Sequence, residues 1–194
     1  IHGATYVRGA TFFPQQINLP RRRLWSGCRE CGVLCPGDAL LRAALELLAG
    51  ARPGKNAPVA PVLGDVRRGP LPASRMGCAL VGGYQAMTGN VSPATGVAAC
   101  LKHFVGYGSP ASGKDRTPAA VAPCELEEKH LRPFREAVAA GALSVMVNSG
   151  ILNGIPCHMN RALITGTLKE GMHFDGVVVT DWLDIANLCE RDRV

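Results

Sequence analysis

The strongest candidate for chemistry in this 194-residue chain is Asp181, a carboxylate that directly follows a run of β-branched residues. Residues 177–180 read Val-Val-Val-Thr, which predicts a short strand buried on both faces. Ligands of parallel α/β folds bind at the carboxyl ends of the strands, so a carboxylate at this position is a candidate for catalysis. The alternative is that Asp181 caps the helix that follows, because Asp is a favoured N-cap residue.

A second strand, predicted at 97–101, ends in Lys102 and His103. On a regular strand these neighbours would point to opposite faces, so both reach one ligand only where the strand has ended and the chain turns. Lys102 would then donate hydrogen bonds to hydroxyl groups and keep a nearby carboxylate ionised. The alternatives are a surface lysine at 102 and a polar residue satisfied at the strand end at 103.

A third strand, predicted at 143–147, ends in Asn148 and Ser149. Three consecutive strands therefore deliver polar groups at their carboxyl ends, and in a parallel barrel or sheet these ends converge on one site. Trp182 offers a flat apolar face suited to stacking on a sugar ring, or is an aromatic residue at the edge of the core.

The second half of the chain alternates strands with helices. Amphipathic helices are predicted at 125–140 and 161–170, closed by Gly141 and Gly171. This alternation is typical of βαβ units and a parallel sheet. The connecting loops are expected at 106–118 and 149–156.

The first half is less regular. An apolar segment at 39–49 predicts a buried helix, 56–63 a strand interrupted by prolines, and 73–87 another helix. The stretch 20–37 shows no period.

Three cysteines, Cys28, Cys31 and Cys35, have the spacing of the last three ligands of a bacterial ferredoxin run, but Trp25 stands where the first ligand belongs. They could instead bind zinc with a remote fourth ligand, although no second Cys pair or His pair supplies one at a usual spacing. Metal binding is therefore the lesser alternative, and no cofactor is expected.

The net charge of +6 comes largely from arginines between positions 21 and 75. They lack interleaved aromatic residues, which favours a solvated surface over a nucleic-acid partner. No apolar run reaches the ~18 residues that span a bilayer, and no signal peptide opens the chain, so no membrane partner is expected. The chain starts without Met and stops in a polar, helix-like run, which suggests a truncated sequence.

The candidate residues at the three strand ends fall within strings that resemble the N-terminal barrel domain of glycoside hydrolase family 3, the β-glucosidase and exo-glucanase group. The strings occur in family order: IHGATYVRGATFFPQ (1–15), KHFVGYG (102–108), SGKDRTP (112–118), AGALSVMVNSG (140–150), NGIP (153–156) and FDGVVVTDW (174–182).

The resemblance implies an α/β fold, an incomplete (β/α)8 TIM-type barrel with a parallel sheet, formed by residues 1–194 as one truncated domain. It implies that Asp181 is the catalytic nucleophile and that Lys102 and His103 bind sugar hydroxyls. Met146 would border the same subsite, and Trp182 would follow the nucleophile as a further substrate-binding residue.

The implied activity is hydrolysis of terminal β-D-glucosyl residues from a β-glucoside or β-glucan oligosaccharide, with retention through a covalent glycosyl-enzyme. The acid/base would come from a following domain that this chain lacks. The loop 106–110 has no Asp-His pair, which favours the glucosidase branch over the N-acetylglucosaminidase branch. The resemblance is compatible with a periplasmic or extracellular location. The alternatives are a non-catalytic fragment that keeps sugar-binding residues, and a metal-binding module on the three clustered cysteines.

The chain also departs from the family pattern. The family's sugar-binding Asp precedes the position where this chain begins, and residues 67–70 replace a longer segment that carries a sugar-binding Arg. Asp65 stands in a string with one inserted Gly and receives no role. Residues 20–57 barely match, and their Arg, Cys, Pro and Gly content is what a shifted reading frame in GC-rich DNA would produce.

Overall fold

The computed structural model describes residues 44–46, 70–85 and 98–194, and in these ranges strands alternate with helices. The strands are β1 (Ala44–Glu46), β2 (Cys100–Phe104), β3 (Ser144–Val147), β4 (Ile151–Leu152), β5 (Ile155–Pro156) and β6 (Val177–Val179). The helices are α1 (Pro70–Tyr84), α2 (123–139), α3 (Ala162–Gly171) and α4 (Asp184–Glu190). Two of them contain wide π-helical turns, at Leu126–Leu131 in α2 and along α3.

Four strands form one parallel sheet in the order β1-β2-β3-β6. Each strand pairs with the next of these strands along the chain, so the order never reverses. Ser144 is in register with Cys100 on one side and Val177 on the other. The predicted parallel α/β architecture is therefore confirmed.

The segment predicted as the loop 149–156 contains a small hairpin. Strands β4 and β5 pair antiparallel around Asn153 and Gly154, which both have positive φ values of 50° and 86°. An Asn-Gly pair suits such a two-residue turn because both central residues need the left-handed region. The Asn153 side chain also bonds the backbone N–H and C=O of Val121, which ties the hairpin to the segment before α2.

Helix α2 ends as its sequence predicts. Gly141 has a φ of 90°, and its N–H donates to the carbonyl oxygen of Val138, while the Ala142 N–H reaches back to Ala137. These two bonds form a Schellman motif, which satisfies carbonyls that a helix end would otherwise leave open. The chain can then turn at once into β3.

The core lies between the sheet and its helices. Phe104 of β2 meets Phe134 of α2 edge to face, with ring centroids 5.1 Å apart. The other large buried side chains around them come from both strands and helices: Leu80, Val81, Leu101, Leu131, Val145, Val147, Leu163 and Leu168.

The positions of two strands differ from those predicted. The segment 39–49 contains strand β1 where a buried helix was expected, because residues 44–46 pair in register with 100–102 of β2. The second strand lies three residues further along than the predicted 97–101, since Cys100 is the residue that pairs with Ser144. Lys102 and His103 therefore lie inside β2 and do not follow it.

The sequence predicts that the strand at 177–180 is buried on both faces, but β6 is not. It is the last strand of the described sheet, and Val177 is 62% exposed. The three-valine run reflects β propensity and partial burial at a sheet edge.

Helix α1 begins three residues earlier than predicted, because Pro70 fits the first turn of a helix, where its missing N–H costs nothing.

The predicted strand at 56–63 lies outside the described residues, as do residues 20–37 with the clustered cysteines. Across the ranges that the structure describes, no helix combines the length and apolar character required to cross a membrane.

Replacing Gly176 with Ala should lower the free energy of unfolding by about 2 to 3 kcal/mol through overpacking. A Cβ at this position would lie 2.6 Å from Cζ of Phe174 and press against the carbonyl oxygen of Leu143, at the point where β6 begins. Gly166→Ala is the matched control, because a Cβ there meets nothing within 4 Å and Ala favours the helix. Denaturant unfolding measures both variants, and equal stability of the two would contradict the expected clash.

Candidate active site

Asp181 lies just beyond the carboxyl end of β6, with its side chain 24% exposed. Its Oδ1 accepts a hydrogen bond of 2.7 Å from the N–H of Trp182. Its Oδ2 lies 3.3 Å from Nη2 of Arg116 and 3.4 Å from Oγ of Ser149. The carboxylate is thus held from both sides while part of it stays open to solvent.

Three cationic or ionisable groups converge on this carboxylate. Nε2 of His103 lies 3.8 Å from Oδ2, and the charges of Arg116 and Lys102 also act on it. Partial burial raises the pKa of Asp181, but the Trp182 N–H and these groups together lower it more, so the pKa lies below its ordinary value. Asp181 is therefore an ionised carboxylate at neutral pH, as a nucleophile must be.

The alternative role of Asp181 as a helix cap is wrong. Helix α4 begins three residues later, at Asp184, and its N-cap position is Leu183, which makes no side-chain cap. Among the described residues, the carboxylate of Asp181 accepts hydrogen bonds from the N–H of Trp182 and from the side chains of Arg116 and Ser149, which lie outside α4.

Lys102 is buried, 8% exposed, which excludes the surface lysine considered from the sequence. It lies on β2 next to His103, where the pairing of β2 with β3 shifts register between Leu101 and Phe104. Regular strand alternation is broken here, and both side chains act on Asp181 even though the strand has not ended.

The loop that follows β2 is fastened to the site. The ring of Tyr107 packs on that of His103 with centroids 4.3 Å apart, and its hydroxyl donates to Asp115 at 2.5 Å. Arg116, next in the chain, has a φ of 58° and turns its guanidinium towards Asp181. The loop therefore supplies a cation that its distance in sequence, 65 residues from Asp181, did not reveal.

Met146 and Trp182 are the other two residues expected to bind substrate. Met146 is half-buried on β3, in register with Val179, two residues before Asp181. Trp182 is 76% exposed directly beside the carboxylate. The described contacts thus align Met146 with the end of β6 and leave the indole face of Trp182 open.

Behind Asp181 lies a buried polar network that the sequence analysis did not predict. Oγ of Ser149 lies 2.8 Å from Oδ2 of Asp184, a side chain only 1% exposed, and the Ser149 carbonyl accepts from Nη2 of Arg191 at 2.6 Å. Nε2 of His158 lies 3.5 Å from the same Oδ2. Burial lowers the pKa of His158, and the charge of Asp184 only partly offsets this. The imidazole therefore faces Asp184 uncharged at neutral pH.

Asn148, the other polar residue after β3, is structural. It is buried, donates from Nδ2 to the carbonyl of Val105 at 2.9 Å and accepts from the N–H of Gly150. It thereby joins the ends of β2 and β3 and fixes Ser149 between them.

The arrangement suits attack by an ionised carboxylate on an electrophilic carbon, with buried donors beside it for hydroxyl groups. Within the residues that the structure describes, no cluster of three or more His, Cys, Asp or Glu side chains is placed to hold a metal. The clustered cysteines lie outside those residues.

Comparison with known proteins gives concordant results. The family model described as glycosyl hydrolase family 3 N terminal domain matches residues 68–193. A lysosomal beta glucosidase of Dictyostelium discoideum is 34% identical over 97% of this chain and 24% of its own length. A beta-xylosidase of Formosa agariphila is 38% identical over 61% of this chain and 17% of its own length.

Among solved structures, a beta-glucosidase from Listeria innocua in complex with glucose superimposes with a TM-score of 0.81 at 28% identity. The match covers 93% of this chain and 25% of that one. The chain thus spans about a quarter of the length of the lysosomal and Listeria proteins that it resembles.

Proposed function

Because the chain belongs to glycosyl hydrolase family 3, as its N-terminal domain, we propose that the complete protein hydrolyses terminal non-reducing β-D-glucosyl residues with Asp181 as nucleophile. The observation that carries this proposal is the partly open carboxylate of Asp181 at the end of β6, facing Arg116, His103 and Lys102. A carboxylate kept ionised at a strand end is what nucleophilic attack requires.

The substrate class follows from the relatives. One is named a beta glucosidase, another a beta-xylosidase, and the Listeria beta-glucosidase was solved with glucose. All three names concern pyranosides with equatorial hydroxyl groups. A buried lysine and histidine beside the nucleophile suit such hydroxyls, and we assign Lys102 and His103 to this role.

Met146 and Trp182 complete the proposed subsite. Met146 would border the sugar from β3, and the exposed indole of Trp182 would stack on a pyranose ring. These two assignments rest on position and on the apolar faces of sugar rings.

The reaction would proceed in two displacements with net retention. In the first, an Asp181 oxygen attacks C1, the bond from C1 to the leaving oxygen breaks, and an acid protonates that oxygen. In the second, water attacks C1, its proton passes to the conjugate base, and the electron pair of the broken ester bond returns to Asp181.

The acid/base must be a second carboxyl group about 5 Å from the first. Among the described residues, Asp184 is the nearest candidate by sequence and contact, but it is buried and engaged by Ser149. Glu125 and Glu127 lie at the start of α2 and pair with Lys129 and Arg135. We therefore propose that the acid/base comes from a further domain of the complete protein.

We also propose that the described sheet is an arc of a (β/α)8 barrel. The supporting observation is that β1, β2, β3 and β6 are parallel and follow one another in space as in sequence, without the reversal of a doubly wound sheet. Closure of such a barrel takes eight strands and about 250 residues.

The test uses the complete gene product and 4-nitrophenyl β-D-glucoside. We expect hydrolysis, with β-glucose as the first anomer seen by proton NMR, whereas residues 1–194 alone should give no turnover above a blank. Release of α-glucose first would exclude retention, and turnover by residues 1–194 alone would exclude a remote acid/base. No hydrolysis of the glucoside or of the matching β-xyloside would favour the non-catalytic alternative.

A further inference from the structure

Ser149 places one hydroxyl group between two carboxylates. Its Oγ lies 2.8 Å from Oδ2 of Asp184 and 3.4 Å from Oδ2 of Asp181. A serine hydroxyl carries a single hydrogen, so it can make a full hydrogen bond to only one of the two at a time. The shorter distance shows that Asp184 holds the hydrogen in this state, with Asp181 at the margin of hydrogen bonding.

The surroundings hold Ser149 in this position. Its side chain is buried, and Nη2 of Arg191, in the segment after α4, donates a hydrogen bond to its carbonyl oxygen. Asp184 opens α4 and is buried, and its Oδ1 has no hydrogen-bond partner among the described residues. A buried carboxylate with spare acceptor capacity competes strongly for any nearby donor.

We propose that Ser149 is a positioning residue for Asp181 and that its hydroxyl turns between Asp184 and Asp181 as the charge on Asp181 changes. This inference rests on the proposed function. When Asp181 becomes a glycosyl ester it loses its negative charge and accepts weakly, so the hydroxyl donates fully to Asp184. When the bond from C1 to the ester oxygen breaks, the electron pair returns to Asp181, which again competes with Asp184 for the hydroxyl, as the distances of 3.4 Å and 2.8 Å show. No proton leaves Ser149; only the O–H bond rotates.

On this proposal Asp184 acts on Asp181 in two ways, through repulsion between two neighbouring negative charges and by drawing the Ser149 hydrogen bond to itself. Ser149→Ala should raise the pKa of Asp181, because a donor is lost while the charge of Asp184 stays. Asp184→Asn should lower the pKa of Asp181, because a negative charge is lost and the hydroxyl is freed for Asp181. The titratable and charged groups that face this pair are Lys102, His103, Arg116, Cys157, His158, Arg191 and Asp192, and both variants leave them in place.

The experiment is the pH dependence of kcat/KM on an aryl β-glucoside with the complete gene product. The acid limb of this profile reports the ionisation of the nucleophile in the free enzyme. Ser149→Ala should move the limb to higher pH and lower kcat/KM at the optimum by about threefold, less than the loss of a full hydrogen bond, because the contact with Asp181 is long at 3.4 Å. Asp184→Asn should move the limb to lower pH. The pH shift caused by Asp184→Asn should be smaller when the substitution is made together with Ser149→Ala, because no hydroxyl is then present to donate to Asp181.

Ser144→Ala is the matched control. It removes a hydroxyl from β3 that donates only to the carbonyl of Ala99, so the limb should stay in place. Ser149→Cys keeps a side chain of similar size with a weak donor and should give a smaller shift in the same direction as Ala. Shifts of Ser149→Ala and Asp184→Asn in the same direction, or an unmoved limb in Ser149→Ala, would overturn the proposal.

A second readout does not depend on turnover. The carboxyl carbon of Asp181 can be followed by NMR in protein labelled with carbon-13 aspartate, its signal identified by its loss in Asp181→Asn. The same opposite displacements of its titration are expected in Ser149→Ala and Asp184→Asn. If the complete protein hydrolyses no glycoside, the proposed function fails, while this titration still decides whether Ser149 couples the two carboxylates.

Discussion

Replacing Asp181 with Asn is expected to lower kcat/KM on an aryl β-glucoside by about 10⁴-fold, because the amide cannot form the glycosyl ester. The native side chain is isosteric with Asn, so its contacts with Trp182 and Ser149 should change little. Asp175→Asn is the matched control. It alters an exposed carboxylate six residues earlier, at the approach to β6. A loss of less than about tenfold in Asp181→Asn would leave no room for a nucleophilic role.

The same prediction has a covalent form. A 2-deoxy-2-fluoro β-glucoside with a good leaving group should inactivate the complete protein by forming a stable ester. The fluorine slows both the formation and the hydrolysis of the ester, and the good leaving group speeds only its formation. Peptide mapping should locate the label within residues 174–188, and Asp181→Asn should remain unlabelled. A label on any other peptide would assign the nucleophile elsewhere.

Much of the second half of the fold could be predicted from local sequence. Helix α2 and strand β3 were expected within two residues of their observed bounds, because amphipathic spacing and Gly141 act over a few residues. Helix α3 was predicted equally well, with Gly171 at its end. Such signals are local, so no tertiary context is needed to interpret them.

The wrong predictions about strands share one cause, which is that the position and burial of a strand depend on partner strands distant in the sequence. The pairing of Cys100 with Ser144 sets where β2 begins, and neither residue alone predicts it. The segment around Ala44 is apolar enough for a helix, yet it forms a strand because β2 offers an edge. The exposure of Val177 likewise depends on its place at the edge of the described sheet.

The residues of the candidate site divide in the same way: a local sequence pattern marks some of them, and contacts distant in the sequence bring in the others. Asp181 stood out because a carboxylate after a β-branched run is a local pattern. Arg116, 65 residues away, did not, although it lies in the string 112–118 that carried part of the family resemblance. Asp184 offered one signal in the sequence, which is that it follows Asp181 by three residues. Its burial at the start of a helix is seen only in the structure.

Removing the charge of Lys102 should have the next largest effect. Lys102→Met keeps the length of the side chain and should lower kcat/KM on an aryl β-glucoside by about 100-fold, the cost of losing a charged hydrogen bond in a buried site. The pKa of Asp181 should also rise in this variant, because the Lys102 charge helps to lower it, so the acid limb of the profile should move to higher pH. Lys129→Met is the control, since that ammonium pairs with Glu125 on the surface of α2.

The role of Lys102 can be separated from acid/base catalysis by changing the substrate. If its ammonium binds a sugar hydroxyl, the native protein should have a much higher kcat/KM for the glucoside than for the deoxy glucoside that lacks that hydroxyl. In Lys102→Met the two substrates should have similar kcat/KM values. If Lys102 transferred a proton, the variant should instead respond to the pKa of the leaving group and retain its preference for the complete sugar. We expect binding to dominate, because Lys102 is buried and its charge helps to keep the carboxylate of Asp181 ionised.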